Sequence, residues 1–329
     1  MAPPVIAVIG GLNMDLIFSA PRAPESGESL DATSLSTLPG GKGANTAVAI
    51  HRAGRARPHP TNTPDTAPIS DDNGTNVYMN GTIGNDAFGA LLKANLSSQG
   101  VSTSGIQTHS TEPTGTCAVF VEFLSNDSRN LGYQGANVYW TPPTPFSSRS
   151  LAGGNTPDLI VAHFGIPTAT IEQALIAAHQ EGVDTLLNPA PAYPISDGTY
   201  SSLTHLILNQ TEASIIANLP VTHYKEAADV FVSKGVANVV VTLGSLGAYV
   251  ATKEGVKGMV KAVPDVNVID TTGAGDTFVG MYAAEYVRQK REGVWHLRTA
   301  VELACRAAAK SVGRLGAQEA MPWRDEIDS

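Results

Sequence analysis

Apolar positions along this chain recur in two rhythms. Val5-Ile6-Ala7-Val8-Ile9 is an unbroken apolar run closed by Gly10-Gly11, the pattern of a strand buried on both faces. Gly43–Ala53 instead carries Ala44, Ala47, Val48 and Ile50 at helical spacing before Gly54, which predicts a helix with a glycine stop. The same two patterns then alternate. Strands are predicted at Val77–Gly81, Leu159–Ala162, Thr185–Asn188, His205–Asn209, Asn238–Leu243, Gly247–Ala251 and Gly258–Val263. Helices are predicted at Ala87–Gln99, Ile171–Glu181, Tyr224–Lys234, Gly275–Arg291 and Leu297–Val312. Strands alternating with helices predict an α/β sheet covered on both faces. Weaker β patterns lie within residues 13–40 and 112–137, where Cys117–Leu124 is β-rich and Asn130–Gln134 is placed to pair with it. These pieces could meet as a small second sheet. Residues 55–76 are rich in Pro, Thr, Asn and Asp with almost no large apolar side chain. They cannot bury enough surface to offset ordering entropy, so a disordered or loosely held insertion is expected there.

Composition narrows the function classes. The 329 residues suffice for one large α/β domain, and 42% of them are hydrophobic. Thirty acidic against 21 basic residues give a net charge of −9, which argues against a broad nucleic-acid surface. It leaves room for a local phosphate site built from backbone amides. Cys117 and Cys305 lie far apart with no C-x-x-C spacing, so neither a disulfide framework nor a zinc site is expected. No apolar run has the length of a membrane span. The opening Met1-Ala2-Pro3-Pro4-Val5 lacks the basic start and apolar stretch of a signal peptide. Cytoplasm is the expected compartment, with nuclear access left open.

Two glycine-rich helix entries are the candidates for chemistry. In Asp270-Thr271-Thr272-Gly273-Ala274-Gly275-Asp276 small residues lead directly into a helical pattern. A helix N-terminus offers unpaired N–H groups and partial positive charge, and glycines let an anion approach those amides. Asp276 would sit in the first turn, either as a base taking a proton from an attacking hydroxyl or as a plain helix-start charge. Pro39-Gly40-Gly41-Lys42-Gly43-Ala44-Asn45 is the second entry. It lacks the G-x-x-x-x-G-K-[ST] spacing of a P-loop, and on its own is also consistent with a tight turn. Asn13 and Asp15 follow the first strand, where ligands of open α/β sheets bind; they suit sugar hydroxyls or a turn. Asn209 and Glu212, three apart after another strand, could order water around magnesium or cap a helix.

As a set these motifs resemble those of the ribokinase-like (phosphofructokinase-B) carbohydrate kinases. Besides the two glycine entries, Leu187-Asn188-Pro189-Ala190-Pro191-Ala192, Asn209-Gln210-Thr211-Glu212 and Val241-Thr242-Leu243-Gly244-Ser245-Leu246-Gly247 fall in the family's order. The tail Gly316-Ala317-Gln318 through Pro322-Trp323-Arg324-Asp325-Glu326-Ile327 is similar as well. The resemblance implies a ribokinase-like three-layer α/β/α sandwich with a β-sheet lid that often serves as a dimer interface. It implies that Asp276 is the base and that the amides of Gly273, Ala274 and Gly275 form the anion hole. Asn13, Asp15, Gly41, Lys42 and Asn45 would hold the sugar. Asn209 and Glu212 would organise magnesium and phosphate, and Thr242, Gly244 and Gly247 would line the ATP site. Asp270, Thr272, Ser311, Arg314 and Gly316 fall in the region that resembles the family's loop for potassium, with Ala320 where the family often has serine.

One departure bears on substrate. The family's strand corresponding to Val161–Pro167 usually carries a glutamate that binds a ribose hydroxyl, and Gly165 stands at that position. His163 is a candidate to compensate, or a buried structural histidine. The expected reaction is ATP-dependent phosphorylation of D-ribose to D-ribose 5-phosphate. The alternatives are a related kinase for another sugar or a nucleoside, and a sugar-binding regulatory protein with little turnover.

Overall fold

The computed structural model describes residues 2–58, 74–124 and 127–328. Thirteen strands and nine helices are present among them: β1 Val5–Ile9, β2 Asn13–Ala20, β3 Ser34–Gly40, α1 Lys42–Ala53, β4 Asn76–Gly84, α2 Ala87–Ser98, β5 Ser102–His109, β6 Gly115–Glu122, β7 Asp127–Tyr133, β8 Leu159–His163, α3 Thr168–Gln180, β9 Asp184–Asn188, α4 Asp197–Tyr200, β10 His205–Asn209, α5 Gln210–Ala217, α6 Tyr224–Ser233, β11 Asn238–Thr242, β12 Ala248–Thr252, β13 Lys257–Val260, α7 Ala274–Arg291, α8 Leu297–Val312 and α9 Arg324–Asp328.

Nine strands form one sheet in the order β13-β12-β11-β10-β9-β8-β1-β4-β5. Pairing is parallel from β5 through β11, and antiparallel only at β11–β12 and β12–β13. Parallel strands are covered on both faces, which is why β1 and β8 read as continuous apolar runs. Along β8 the side chains alternate between two cores. Leu159 and Val161 pack with residues of α1, α7 and α8. Ile160 and Ala162 pack with those of α3 and α6.

A second sheet has the order β3-β2-β6-β7, with β2 parallel to β6 and antiparallel to β3. Val119 pairs with Asn130 across β6 and β7. Asn13 and Asp15 point to one face of this sheet, while Leu16, Phe18 and their cross-strand partners point to the other. Glycines weld it to the main sheet. A side chain at Gly41 (φ 91°) would lie 2.6 Å from the carbonyl oxygen of Gly11 and 2.7 Å from the amide of Asn13, so only glycine fits that turn.

Two features depart from the expected elements. Strand β5 was not anticipated because Ser-Thr-Ser-Gly-Ile-Gln-Thr-His carries a single large apolar residue; it is an edge strand in which Ile106 alone is buried. Helices α5 and α9 are short and rest on capping and ion pairs rather than on an apolar stripe. Of the insertion expected at 55–76, residues 59–73 lie outside the described residues. Its described flank is anchored: Arg55 donates to the carbonyl of Thr75 at 2.6 Å and Arg57 pairs with Glu326 at 2.8 Å.

Helices α1 and α7 cross at Gly280, where an added Cβ would collide with Ala49 and lie 2.9 Å from the amide nitrogen of Ile50. Overpacking of a tight core costs about 1–3 kcal/mol. Gly280→Val is therefore expected to lower the free energy of unfolding by that amount, read as a lower denaturant midpoint. An unchanged midpoint would show that this crossing tolerates separation.

Candidate active site

The cleft is built where the two glycine entries converge. At the end of β1, Gly10 and Gly43 approach so closely that a Cβ on Gly10 would lie 2.8 Å from the Cα of Gly43. That contact seats the first turn of α1, and with it Lys42 and Asn45, over the carboxyl end of β1. From β2, Asn13 and Asp15 project on one face, and both cross-strand partners of Asn13 are glycines, Gly40 and Gly115. Side chains at Gly40 and Gly115 would collide with the Asp15 carboxylate and with the Asn13 amide respectively.

Asn137 fixes Asn13, and sequence reasoning did not find it. Fully buried in a 3-10 turn, it accepts from the amide of Leu12 at 2.9 Å and donates to Asn13 Oδ1 at 2.8 Å. Asn13 is thereby left with its NH2 group free to donate. Nothing in the run Gly135-Ala136-Asn137 sets it apart from other polar turns.

Helix α7 opens on Gly273 in the left-handed conformation (φ 73°), followed by Ala274, Gly275 and Asp276. A Cβ at Gly275 would meet no protein atom within 4 Å, so the helix N-terminus faces open space. Asp276 is 6% exposed and accepts a hydrogen bond from Asn45 Nδ2 at 2.9 Å. Asp15, Lys42 and Asp276 share one field. Burial pushes the Asp15 carboxyl up to about 6, the charge of Asp276 adds to the rise, and Lys42 opposes it. Glu212 is likewise raised by burial, against the pull of the Asn209 amide and Lys42.

Asn209 and Glu212 form a reciprocal capping box at the start of α5. Glu212 N donates to Asn209 Oδ1 and Asn209 N to Glu212 Oε2, each at 2.8 Å. Of the two roles open in the sequence, capping is the one seen; one carboxylate oxygen of Glu212 carries no hydrogen bond among the described residues. Beyond α7 lies a cavity of about 620 Å³. Thr242, Gly244 and Gly247 line it on one side, Ala274 and Gly275 open onto it, and Val268 and Val312 are among its apolar walls. Apolar walls with a few polar groups suit a flat heterocycle, with an anion at the helix start.

The loop ahead of α7 is tied to the chain's end. Asp270 accepts from the amides of Thr272 and Gly316, both at 2.9 Å. Partial burial raises its carboxyl, but these hydrogen bonds outweigh it and hold the group below its ordinary value. Ser311 turns its hydroxyl back to the carbonyl of Ala308 at 2.8 Å, and Arg314 pairs with Glu326 at 2.6 Å. Arg314, itself a cation, cannot ligate one, and the Ser311 hydroxyl is buried against its own helix, which leaves the backbone carbonyls of this segment as the candidate ligands. Among the described residues no cluster of three or more His, Cys, Asp or Glu side chains could hold a metal.

His163 is fully buried on the α1/α7 side of β8, with Nδ1 3.0 Å from Asn188 Oδ1. Asn188 donates its NH2 to the carbonyl of Ile207 at 2.8 Å, so its oxygen must accept and His163 Nδ1 carries the proton. Burial lowers the ring to about 4, keeping it neutral. Its Nε2 has no partner and is closed to solvent, which leaves it out of direct reach of a sugar entering the cleft. Gly165 has no left-handed backbone requirement, but a Cβ there would lie 3.0 Å from the amide of Gly11.

A buried carboxylate beside a helix N-terminus that opens on a nucleotide-sized cavity, with polar sugar-type ligands on the other side, defines a small-molecule phosphotransferase. Residues 4–324 match the pfkB family of carbohydrate kinases, and the chain belongs to that family. It is 34% identical to a ribokinase of Schizosaccharomyces pombe over 98% of this chain and 96% of that one. It is 31% identical to a deoxyribokinase of Salmonella typhi over 98% of this chain and 97% of that one. Among solved structures, an Arabidopsis thaliana ribokinase complexed with ribose and ATP superposes with a TM-score of 0.83 at 28% identity, covering 99% and 98% of the two chains.

The position of Asp15 generates a pH dependence. With its carboxyl pushed up to about 6, Asp15 gains a proton as pH falls through that value and ceases to be a pure acceptor. The KM for sugar is expected to rise below about pH 6, and Asp15→Asn should remove that inflection while raising KM throughout. A profile whose inflection near 6 survives Asp15→Asn would assign it to another group.

Proposed function

We propose that the protein transfers the γ-phosphoryl group of ATP to the primary hydroxyl of D-ribose, giving D-ribose 5-phosphate. The observation that carries this reading is the buried Asp276 carboxylate, oriented by Asn45 in the first turn of a helix whose N-terminus opens on the cavity. The sugar would lie between Asn13, Asp15, Gly41, Lys42 and Asn45, with its hydroxyl toward Asp276. Asp276 takes the hydroxyl proton as that oxygen attacks phosphorus. The amides of Gly273, Ala274 and Gly275 receive the charge that spreads over the transferring group. The relatives named as ribokinases, one of them a complex with ribose and ATP, support the substrate pair.

Magnesium fits as an ion held mainly by phosphates and water. The uncommitted Glu212 oxygen is a carboxylate donor open to its shell, in keeping with the absence of a multi-carboxylate cage among the described residues. Bound there, it would neutralise charge between the β- and γ-phosphates. A potassium ion would fit the carbonyl-rich turn at Asp270 and Thr272 beside the loop through Gly316, whose donors are backbone oxygens. The outer face of the second sheet carries Leu35, Leu131 and Tyr133, 57%, 70% and 53% exposed, around stacked Phe18 and Phe120. Such an apolar face suits a homodimer formed through the lid.

A second reading, a kinase for 2-deoxyribose or another sugar, is favoured by Gly165. It leaves the cleft without the carboxylate that the family usually offers a remote hydroxyl. A panel of D-ribose, 2-deoxy-D-ribose, other pentoses and nucleosides, read by ATP consumption, separates the two. The proposal expects ribose to give the highest kcat/KM; preference for 2-deoxyribose would replace it with the second reading. With the best substrate, Asp276→Asn is expected to lower kcat by about 10²–10⁴-fold while ATP still binds. More than half of the parent kcat would remove Asp276 from the mechanism. The rate in potassium should also exceed that in a bulky organic cation buffer, and equal rates would remove the cation site.

A further inference from the structure

Asp276 stands at the end of a line of three side-chain amides, and two of them have no place in the reading above. Asn45 Nδ2 donates to Asp276 Oδ2 at 2.9 Å, Gln318 Nε2 donates to Asn45 Oδ1 at 3.1 Å, and Asn95 Nδ2 donates to Gln318 Oε1 at 2.7 Å. Gln318 is 2% exposed, and Asn95 comes from α2. The direction of the line is dictated from its acidic end. An ionised carboxylate can only accept, so Asn45 must turn its NH2 toward Asp276 and leave its oxygen facing Gln318. Gln318 must then present its own NH2, and its oxygen faces the NH2 of Asn95. Each amide is polarised in the same sense, and buried hydrogen bonds in series strengthen one another.

The backbone behind Gln318 is held as firmly as its side chain. Arg52, itself buried, donates to the carbonyls of Gln318 and Met321 at 2.7 and 2.8 Å and lies over the ring of Trp323 at 5.3 Å. No hydrogen bond other than that from Gln318 reaches Asn45 Oδ1 among the described residues. Without it Asn45 Oδ1 is a buried acceptor with no donor, and the side chain loses one of the two bonds that hold its Nδ2 against Asp276.

We infer that Gln318 is a positioning residue for phosphoryl transfer: its Nε2–H fixes the amide of Asn45, so that Asn45 binds Asp276 Oδ2 and leaves Oδ1 to the sugar hydroxyl, with Asn95 holding Gln318 in that sense. The inference rests on Asp276 being the base. Gln318→Met keeps the length of the side chain and removes the donor. Gln318→Glu keeps the acceptor for Asn95 and places a second acceptor against Asn45, which forces the Asn45 amide to choose between two carboxylates.

Steady-state kinetics, with thermal unfolding as the check on folding, test it. Misplacement of a reacting group costs up to about 10²-fold. Gln318→Met is expected to lower kcat about tenfold with the KM for ATP within about twofold, and Gln318→Glu to lower it further. A role in packing alone would make the two variants alike or spread the loss to ATP binding. The deciding measurement is a double-mutant cycle. On the Asp276→Asn background Gln318→Met should lower kcat no further, because its effect runs through the carboxylate. Additive losses would overturn the inference, as would a parent-like kcat for both Gln318 variants when Asp276→Asn alone is inactive. Should Asp276→Asn itself keep the parent rate, the reading of the base fails first and is recognised separately. If the Gln318 variants do not fold, Asn95→Asp reverses the same line from α2. It is expected to lower kcat on the parent and not on Asp276→Asn, and an equal loss on both backgrounds would overturn the inference.

Discussion

Asn45 and Asp276 lie 231 positions apart in the chain and meet at 2.9 Å, almost closed to water. A carboxylate that deep is unfavourable without a hydrogen-bond donor, and much of the surrounding structure serves to bring one. Helix α1 reaches the carboxyl end of β1 because Gly10 and Gly43 have no side chains to separate them. It reaches α7 because Gly280 admits Ala49 and Ile50. Loss of space at either contact would move the donor away from the acceptor, and the distance between two helices is thus also the geometry of the base.

Charge in the cleft is deliberately uneven. Asp15, Asp276 and Glu212 share it with one lysine, Lys42, whose charge is felt by all of Asp15, Glu212 and His163. A polyphosphate entering that field meets repulsion as well as the amides of α7. The ligand's own counter-ion therefore belongs to the electrostatics of the site, as bound cations do wherever phosphates gather. The carboxyl of Asp15 is raised first by its burial and then by the neighbouring charge of Asp276.

The periodicity of the chain revealed the main sheet well because parallel strands buried on both faces leave unbroken apolar runs, as in Val5–Ile9 and residues 159–162 of β8. It failed at β5, an edge strand whose neighbours demand little burial, and at α5 and α9, which are stabilised by caps and ion pairs. The glycine entries were legible for a physical reason: an anion approaching a helix start, and two backbones in contact, both exclude side chains. Asn137 and Gln318 were not. Each is an ordinary amide whose importance lies in a partner far away in sequence, 124 residues from Asn13 and 273 residues from Asn45. Local pattern carries no record of such pairings.

The C-terminal segment gathers these threads into one piece of chain. Gly316 binds Asp270 ahead of the anion-facing helix, and Gln318, two residues on, binds Asn45 beside the base. Arg52 grips the carbonyls of Gln318 and Met321 from α1. The turn before α7 and the amide that orients Asp276 are therefore fastened to the same short stretch of backbone. A rigid stretch cannot shift at one end without passing the displacement to the other, because packed interiors deform little. Whatever orders the loop at Gly316 consequently acts on two parts of the site together, the anion-facing amides through Asp270 and the base through Asn45.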